Sequence, residues 1–224
     1  MRTSIVLWDI DGTLLLNSAT AGTFYHDAIR EVAGVGPRAG EAHAVEHGKT
    51  DGQILTERLE RWGGDPALFD AVSRRMDELS NAYLTDAARR RAAPGVDAAV
   101  RALAAAGWTN GLLTGNSPHR ARVKLAGAGI DVDAFDWDRS WFGGRYLRRS
   151  DLTAAARADL GDTTAVILGD TPADGEAADA VGYPFLAVAT GAYSVEDLRR
   201  TSARVVIPDL VEGLPTLLAT LAAL

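Results

Sequence analysis

Short aliphatic runs recur along this chain, and segments of helical pattern separate them. The runs are Ile5–Trp8, Thr109–Leu113, Ala165–Leu168 and Phe185–Ala189, with Val205–Ile207 as a fifth. They are nearly continuous in apolar residues, the pattern of strands covered on both faces. Helical patterns lie between them, over Val96–Ala106, Pro118–Ala126, Asp151–Leu160 and Ala173–Val181. Pro94-Gly95 precedes the first of these, and Gly107, Gly127, Gly161 and Gly182 stand at or near the ends of the four, as start and stop signals should. Strands alternating with helices predict an α/β fold, a doubly wound parallel sheet with right-handed crossovers.

One interval breaks the rhythm. Residues 16–91 hold no strand pattern and are too long for an ordinary connection between a strand and a helix. They read as helices over Ala19–Val32, Gln53–Trp62 and Pro66–Arg90, punctuated by glycines. The expected organisation is a core of residues 1–15 and 92–224 with an all-helical cap, 16–91, inserted after the first strand.

Composition removes several function classes. The 224 residues are 47% hydrophobic, with a net charge of -7 from 23 basic and 30 acidic side chains. That balance gives no reason to expect nucleic acid or an anionic membrane as partner. There is no cysteine, hence no disulfide, thiol nucleophile or thiolate metal site. Four histidines follow no metal-ligand spacing. No secretion signal or membrane span is legible, so the default expectation is a cytoplasmic protein, monomer or homodimer.

Chemistry concentrates where strands end. Ile5–Trp8 runs into Asp9-Ile10-Asp11-Gly12-Thr13. Side chains of an extended segment alternate, so Asp9 and Asp11 can aim at one place. Two crowded carboxylates resist ionising, and a divalent cation such as magnesium removes that cost. The plainer alternative is an acidic turn. The second strand ends in Thr114-Gly115-Asn116-Ser117-Pro118. There a hydroxyl, two amides and a helix N-terminus can bind phosphate, or the segment can simply cap the helix. A third strand ends in Gly169-Asp170-Thr171-Pro172-Ala173-Asp174. Asp170 can complete a magnesium site with Asp9, while Asp174 can hold or orient the metal shell, cap the helix, or do both. Parallel sheets place ligands at this edge.

These three segments, in this order, resemble the motifs of the haloacid dehalogenase-like hydrolase superfamily: Asp9-Ile10-Asp11-Gly12-Thr13 the first, Thr114-Gly115-Asn116 the second, Gly169-Asp170 with Asp174 the fourth. The insert is similar to the helical cap of the phosphoglycolate phosphatase and β-phosphoglucomutase branch. The resemblance implies that Asp9 attacks phosphorus and that Asp11 is acid, then base. It implies a metal set of the Asp9 carboxylate, the Asp11 carbonyl and Asp170, with Asp174 in support. Thr114, Gly115 and Asn116 would bind the transferring phosphate. Dehalogenase- and phosphonatase-type relatives lack the second aspartate, so Asp11 favours an oxygen leaving group. The implied activity is magnesium-dependent hydrolysis of a small phosphorylated metabolite, with a phosphomutase and a non-enzymatic receiver-like phospho-switch as alternatives.

The third motif departs from the family, which places a lysine before the fourth. Here that region reads Arg145-Tyr146-Leu147-Arg148-Arg149. Arg149 is the candidate phosphate ligand, Arg148 the second, and a solvated helix start the alternative. Only two lysines exist. Lys124 reads as part of a solvated helix face, and Lys49 as either a substrate contact or a solvated side chain. Thr50 or Asp51 reads as a helix cap. Trp8, Trp108 and Phe185 read as core. Trp137, Trp141 and Phe142 either pack beneath Arg149 or form a hairpin around Gly143-Gly144.

Overall fold

Six parallel strands form one sheet in the order β3-β2-β1-β4-β5-β6. The computed structural model describes residues 4–16, 23–38, 41, 46–84 and 91–224. The strands are β1 (Ser4–Trp8), β2 (Trp108–Thr114), β3 (Trp141–Phe142), β4 (Thr164–Gly169), β5 (Phe185–Val188) and β6 (Val205–Ile207). β1 sits at the centre, with Leu7 opposite both Gly111 and Ile167. All the strands predicted from sequence are present, within a residue or two at each end. β3 was not foreseen as a parallel strand: Trp141 and Phe142 pair with Leu113 and Thr114 rather than closing a hairpin. Trp137 stacks on Phe142 with ring centroids 5.6 Å apart, which steadies this edge.

The sheet is doubly wound because β1 is apolar on both sides. Val6 and Trp8 meet α4 (Val96–Ala105), α5 (Pro118–Gly127) and α9 (Leu214–Ala222). Ile5 and Leu7 meet α6 (Arg149–Leu160) and α7 (Pro172–Val181). The Trp8 indole is satisfied within this core: Nε1 donates to Asn110 Oδ1 at 2.9 Å, and Asn110 Nδ2 donates to the Val100 carbonyl. Two short elements escaped the sequence pattern, α8 (Val195–Leu198) and α9.

The insert folds as helices. They are α1 (Thr23–Ala33), α2 (Asp51–Trp62) and α3 (Phe69–Ser80), with single 3-10 turns at Pro66–Leu68 and Asn81–Leu84. The single helix expected over Pro66–Arg90 is therefore broken, and residues 85–90 lie outside the described ones, as do residues 19–22 of the first expected helix. Ala28, Ile29, Leu55, Leu59, Val72 and Met76 form a separate hydrophobic cluster. Thr50 caps α2, accepting from Gln53 N at 3.1 Å, and Gly63 ends it in the left-handed region at φ 75°. The chain leaves and re-enters the sheet at one place: Leu16 N donates to the Arg91 carbonyl and Ala93 N to the Leu14 carbonyl, both at 2.9 Å. Among the described residues no helix is long and apolar enough to cross a membrane.

Because the insert carries its own core, truncating that core should destabilise it directly. Leu59→Ala, at a side chain 1% exposed, should cost about 2–5 kcal/mol, read from denaturant unfolding of the purified protein.

Candidate active site

β1 delivers Asp9 to the carboxyl edge of the sheet, where its amide still donates to the Leu168 carbonyl at 2.9 Å. The chain then turns. Gly12 has φ +92°, a conformation that glycine adopts without strain, and Gly12 N donates to the Leu15 carbonyl at 2.7 Å. Glycine is required for a second reason. A Cβ there would lie 2.1 Å from Asp170 Oδ2, and one at Gly191 would lie 1.7 Å from the same oxygen. Thr13 Oγ1 donates to Asp170 Oδ1 at 3.0 Å, so the first and fourth motifs hold each other.

Asp9, Asp170 and Asp174 are all buried, and each offers a carboxylate oxygen within 4.8 Å of the others. Burial above all, then the neighbouring carboxylates of Asp174 and Asp11, pushes the Asp9 carboxyl up to about 6 against the pull of Arg149. Burial, with Asp9 and Asp174, lifts Asp170 well above the usual carboxylate range. Three clustered carboxylates, with Asp9 and Asp170 held above their ordinary pKa, are the hard oxygen donor set a divalent cation satisfies. Asp174 also closes the start of α7: its Oδ2 accepts from Thr171 N at 3.0 Å and Thr171 Oγ1 at 2.7 Å. It is thus both helix cap and member of the cluster.

Arg149 enters beneath this cluster, 7% exposed. Its Nη2 lies 3.0 Å from Asp9 Oδ1 and 2.5 Å from Asp174 Oδ1, and donates to the Leu113 carbonyl at 3.1 Å. Burial opposes its charge, but Asp174 and Asp9 more than offset that, and its pKa rises. Arg148 is exposed. Of the two arginines considered, Arg149 is the one at Asp9.

Lys124 corrects the reading from sequence. It is not on a solvated face but 7% exposed, with Nζ 2.6 Å from Asp11 Oδ2 and 2.5 Å from Asn116 Oδ1. The missed signal lay in α5 itself. Arg120 and Lys124 are one turn apart, and like charges at that spacing repel unless carboxylates face them. Both have them. Arg120 meets Asp51 at 2.7 Å and Asp77 at 2.6 Å, and Lys124 meets Asp11.

The second motif folds around an amide. Asn116 Nδ2 donates to Asp11 Oδ2 at 2.9 Å and to Thr114 Oγ1 at 2.8 Å, so its side chain is committed to those neighbours. Thr114 Oγ1 also accepts from Asn116 N at 3.4 Å, which leaves its own hydrogen for an incoming oxygen. Gly115 lies beneath the insert: Asp51 N donates to its carbonyl at 2.8 Å, and a Cβ on it would meet the Lys49 carbonyl at 2.6 Å. Gly48 comes as close to Thr171 and Ala173, and Gly52 to Tyr146. Residues 48–52 therefore lie across three loops of the sheet's carboxyl edge. Lys49 itself pairs with Glu57 at 2.6 Å. Asp51 is no cap but a buried partner of Arg120, and its Oδ2 also accepts from Ser117 N at 3.0 Å. Thr190 and Gly191 were missed too; Thr190 Oγ1 donates to the Gly12 carbonyl at 2.6 Å. Their signal was a hydroxyl and a glycine following β5, as Thr114-Gly115 follows β2.

The family model of the haloacid dehalogenase-like hydrolases matches residues 3–182. This chain belongs to that family. None of the curated proteins matches it. Its fold is shared with a hydrolase from Pseudomonas syringae, at TM-score 0.69 and 18% identity over 96% of this chain and 97% of that one. A predicted phosphatase from Clostridium acetobutylicum matches at 0.68 and 16% over 98% and 100%. A β-phosphoglucomutase from Clostridium difficile matches at 0.67 and 15% over 100% of both chains. As a haloacid dehalogenase-like hydrolase the protein is an enzyme; this family typically uses a divalent metal, and the buried aspartate cluster offers oxygen donors for one.

Two outcomes follow from the geometry. Between the ordinary 3.8 and about 6, folded Asp9 keeps a proton that the unfolded chain has released. This group therefore opposes folding increasingly as pH rises through that window, and fully above it. A divalent cation needs the ionised form, so magnesium should raise the thermal midpoint more at about pH 7.5 than at about pH 5. Gly191→Ala should displace the Asp170 carboxylate and weaken magnesium binding about 10–100-fold, measured by titration calorimetry at the higher pH.

Proposed function

We propose that this chain is a magnesium-dependent phosphatase that hydrolyses a small phosphate monoester through an aspartyl-phosphate on Asp9. The observation that carries this reading is the contrast between two carboxylates two residues apart. The Asp9 side chain is 7% exposed and gripped by Arg149, whereas that of Asp11 is 37% exposed and held from one side by Lys124 and Asn116. A nucleophile must be fixed and dry; an acid–base group must reach water.

In the first half-reaction an Asp9 oxygen bonds to phosphorus, the bond to the leaving oxygen breaks, and Asp11 gives that oxygen its proton. In the second, Asp11 takes a proton from water, the water oxygen bonds to phosphorus, and the Asp9–phosphorus bond breaks. Phosphate leaves, Asp9 is again a carboxylate and Asp11 again carries a proton. Thr114 donates its hydroxyl hydrogen and Gly115 its backbone amide to the transferring oxygens, while Asn116 holds the Thr114 hydroxyl in place. Arg149 orients Asp9 and balances charge from beneath. Magnesium, held by Asp9, the Asp11 carbonyl and Asp170 with Asp174 in support, would supply positive charge for an anionic substrate meeting a carboxylate nucleophile. Positioning and electrostatics provide most of the catalysis.

Residues 16–91 act in this reading as a cap over a core of residues 1–15 and 92–224. The paired crossings at Leu14–Leu16 and 91–93 are its hinge. Substrate is chosen by what the segment 48–52 admits.

The test is release of inorganic phosphate from a panel of phosphorylated metabolites and an aryl phosphate. Wild type with magnesium should turn over at least one compound, chelation should abolish turnover, and Asp9→Asn should lower kcat by more than about 10³-fold. Conversion of a sugar phosphate into its isomer without phosphate release would place the chain with phosphomutases instead.

A further inference from the structure

Arg149 already serves the nucleophile, so Lys124, a buried cation at the neighbouring carboxylate, needs a separate account. Lys124 Nζ and Asn116 Nδ2 both reach the same oxygen of Asp11, Oδ2, at 2.6 and 2.9 Å. Lys124 also grips Asn116 Oδ1 at 2.5 Å, so ammonium, amide and carboxylate close a three-membered ring of contacts. An amide with both hydrogens and its oxygen engaged has one orientation. Lys124 stands on α5, anchored a turn earlier by Arg120 to Asp51 and Asp77.

We propose that Lys124 is a positioning residue that acts through Asp11: with Asn116 it holds Oδ2 and thereby fixes the plane of the acid–base carboxyl. Two N–H groups on one oxygen, one of them charged, leave that carboxyl a single orientation. Arg149 holds the nucleophile, and Lys124 holds the acid. The inference rests on the phosphatase reading and specifies one part of it.

The test compares wild type, Lys124→Met, Asp11→Asn and the double variant on an alkyl phosphate and on an aryl phosphate whose phenolate leaves without a proton. Lys124→Met should lower kcat/KM for the alkyl ester about 10²-fold and for the aryl ester far less. It should also show a burst of phenolate as hydrolysis of the phospho-enzyme becomes slow. Within the Asp11→Asn background the same substitution should slow neither the burst nor the turnover that follows it, because the group it acts through is gone. Additive slowing of the burst in the double variant, or an equal loss for both esters with weakened inhibition by inorganic phosphate, would make Lys124 a phosphate ligand and overturn the proposal. A fall in thermal midpoint with kcat, KM and leaving-group dependence unchanged would overturn it as well, leaving a packing role. Should wild type itself release no phosphate from either ester, the phosphatase reading fails and takes this inference with it. Lys124→Leu, which also removes the donor, supplies the same comparison if Lys124→Met does not fold.

Discussion

Buried negative charge at the end of β1 is the constraint around which the rest of this molecule is arranged. Asp9, Asp170 and Asp174 occupy one pocket of low solvent access. Carboxylates so placed repel and lose hydration, at several kcal/mol each if uncompensated. Arg149 supplies one compensating charge from beneath, touching Asp9 and Asp174. Thr13 and Thr171 supply hydrogen bonds, and Gly12 and Gly191 leave the volume that Asp170 needs. The remaining imbalance, visible as the raised pKa of Asp9 and Asp170, is what makes the pocket receptive to a cation.

A second circuit of charge connects the helical insert to the same edge. Tyr25 donates to Asp51, Asp51 faces Arg120, and Arg120 also faces Asp77, which accepts from Ser117 Oγ at 2.7 Å. Three elements of the insert thus converge on the first turn of α5. That helix carries Lys124 to Asp11 four residues beyond Arg120. Burial and the Asp51 carboxylate raise the Tyr25 pKa, so its hydroxyl stays a donor. Such a network is worth having where it fixes orientation, since desolvation absorbs much of the Coulomb energy. Here it sets the segment 48–52 over Gly115, Tyr146 and Thr171.

The sheet was legible because β1, β2 and β4 are apolar on both faces, a signal that depends only on local composition. The three acidic or hydroxyl strand ends were legible for a related reason: a buried strand fixes where its next residue must emerge. β3 was not legible, since two aromatic residues beside Gly143-Gly144 are compatible with several loops. The break in the helix after Ser80 was equally silent.

Local sequence thus determined five of the six strands, the helices α4 to α7, and the positions of Asp9, Asp11, Thr114 and Asp170 along one edge. What it left open was which charges meet. Lys124 is 113 positions from Asp11, Arg149 lies 140 from Asp9, and Gly191 stands against an aspartate 21 residues away in the chain. The spacing of Arg120 and Lys124 on one face of α5 hinted at facing carboxylates without naming them. Only the docking of α5 against the β1 turn buries the Lys124 ammonium, and only there does a carboxylate at short range make that burial tolerable.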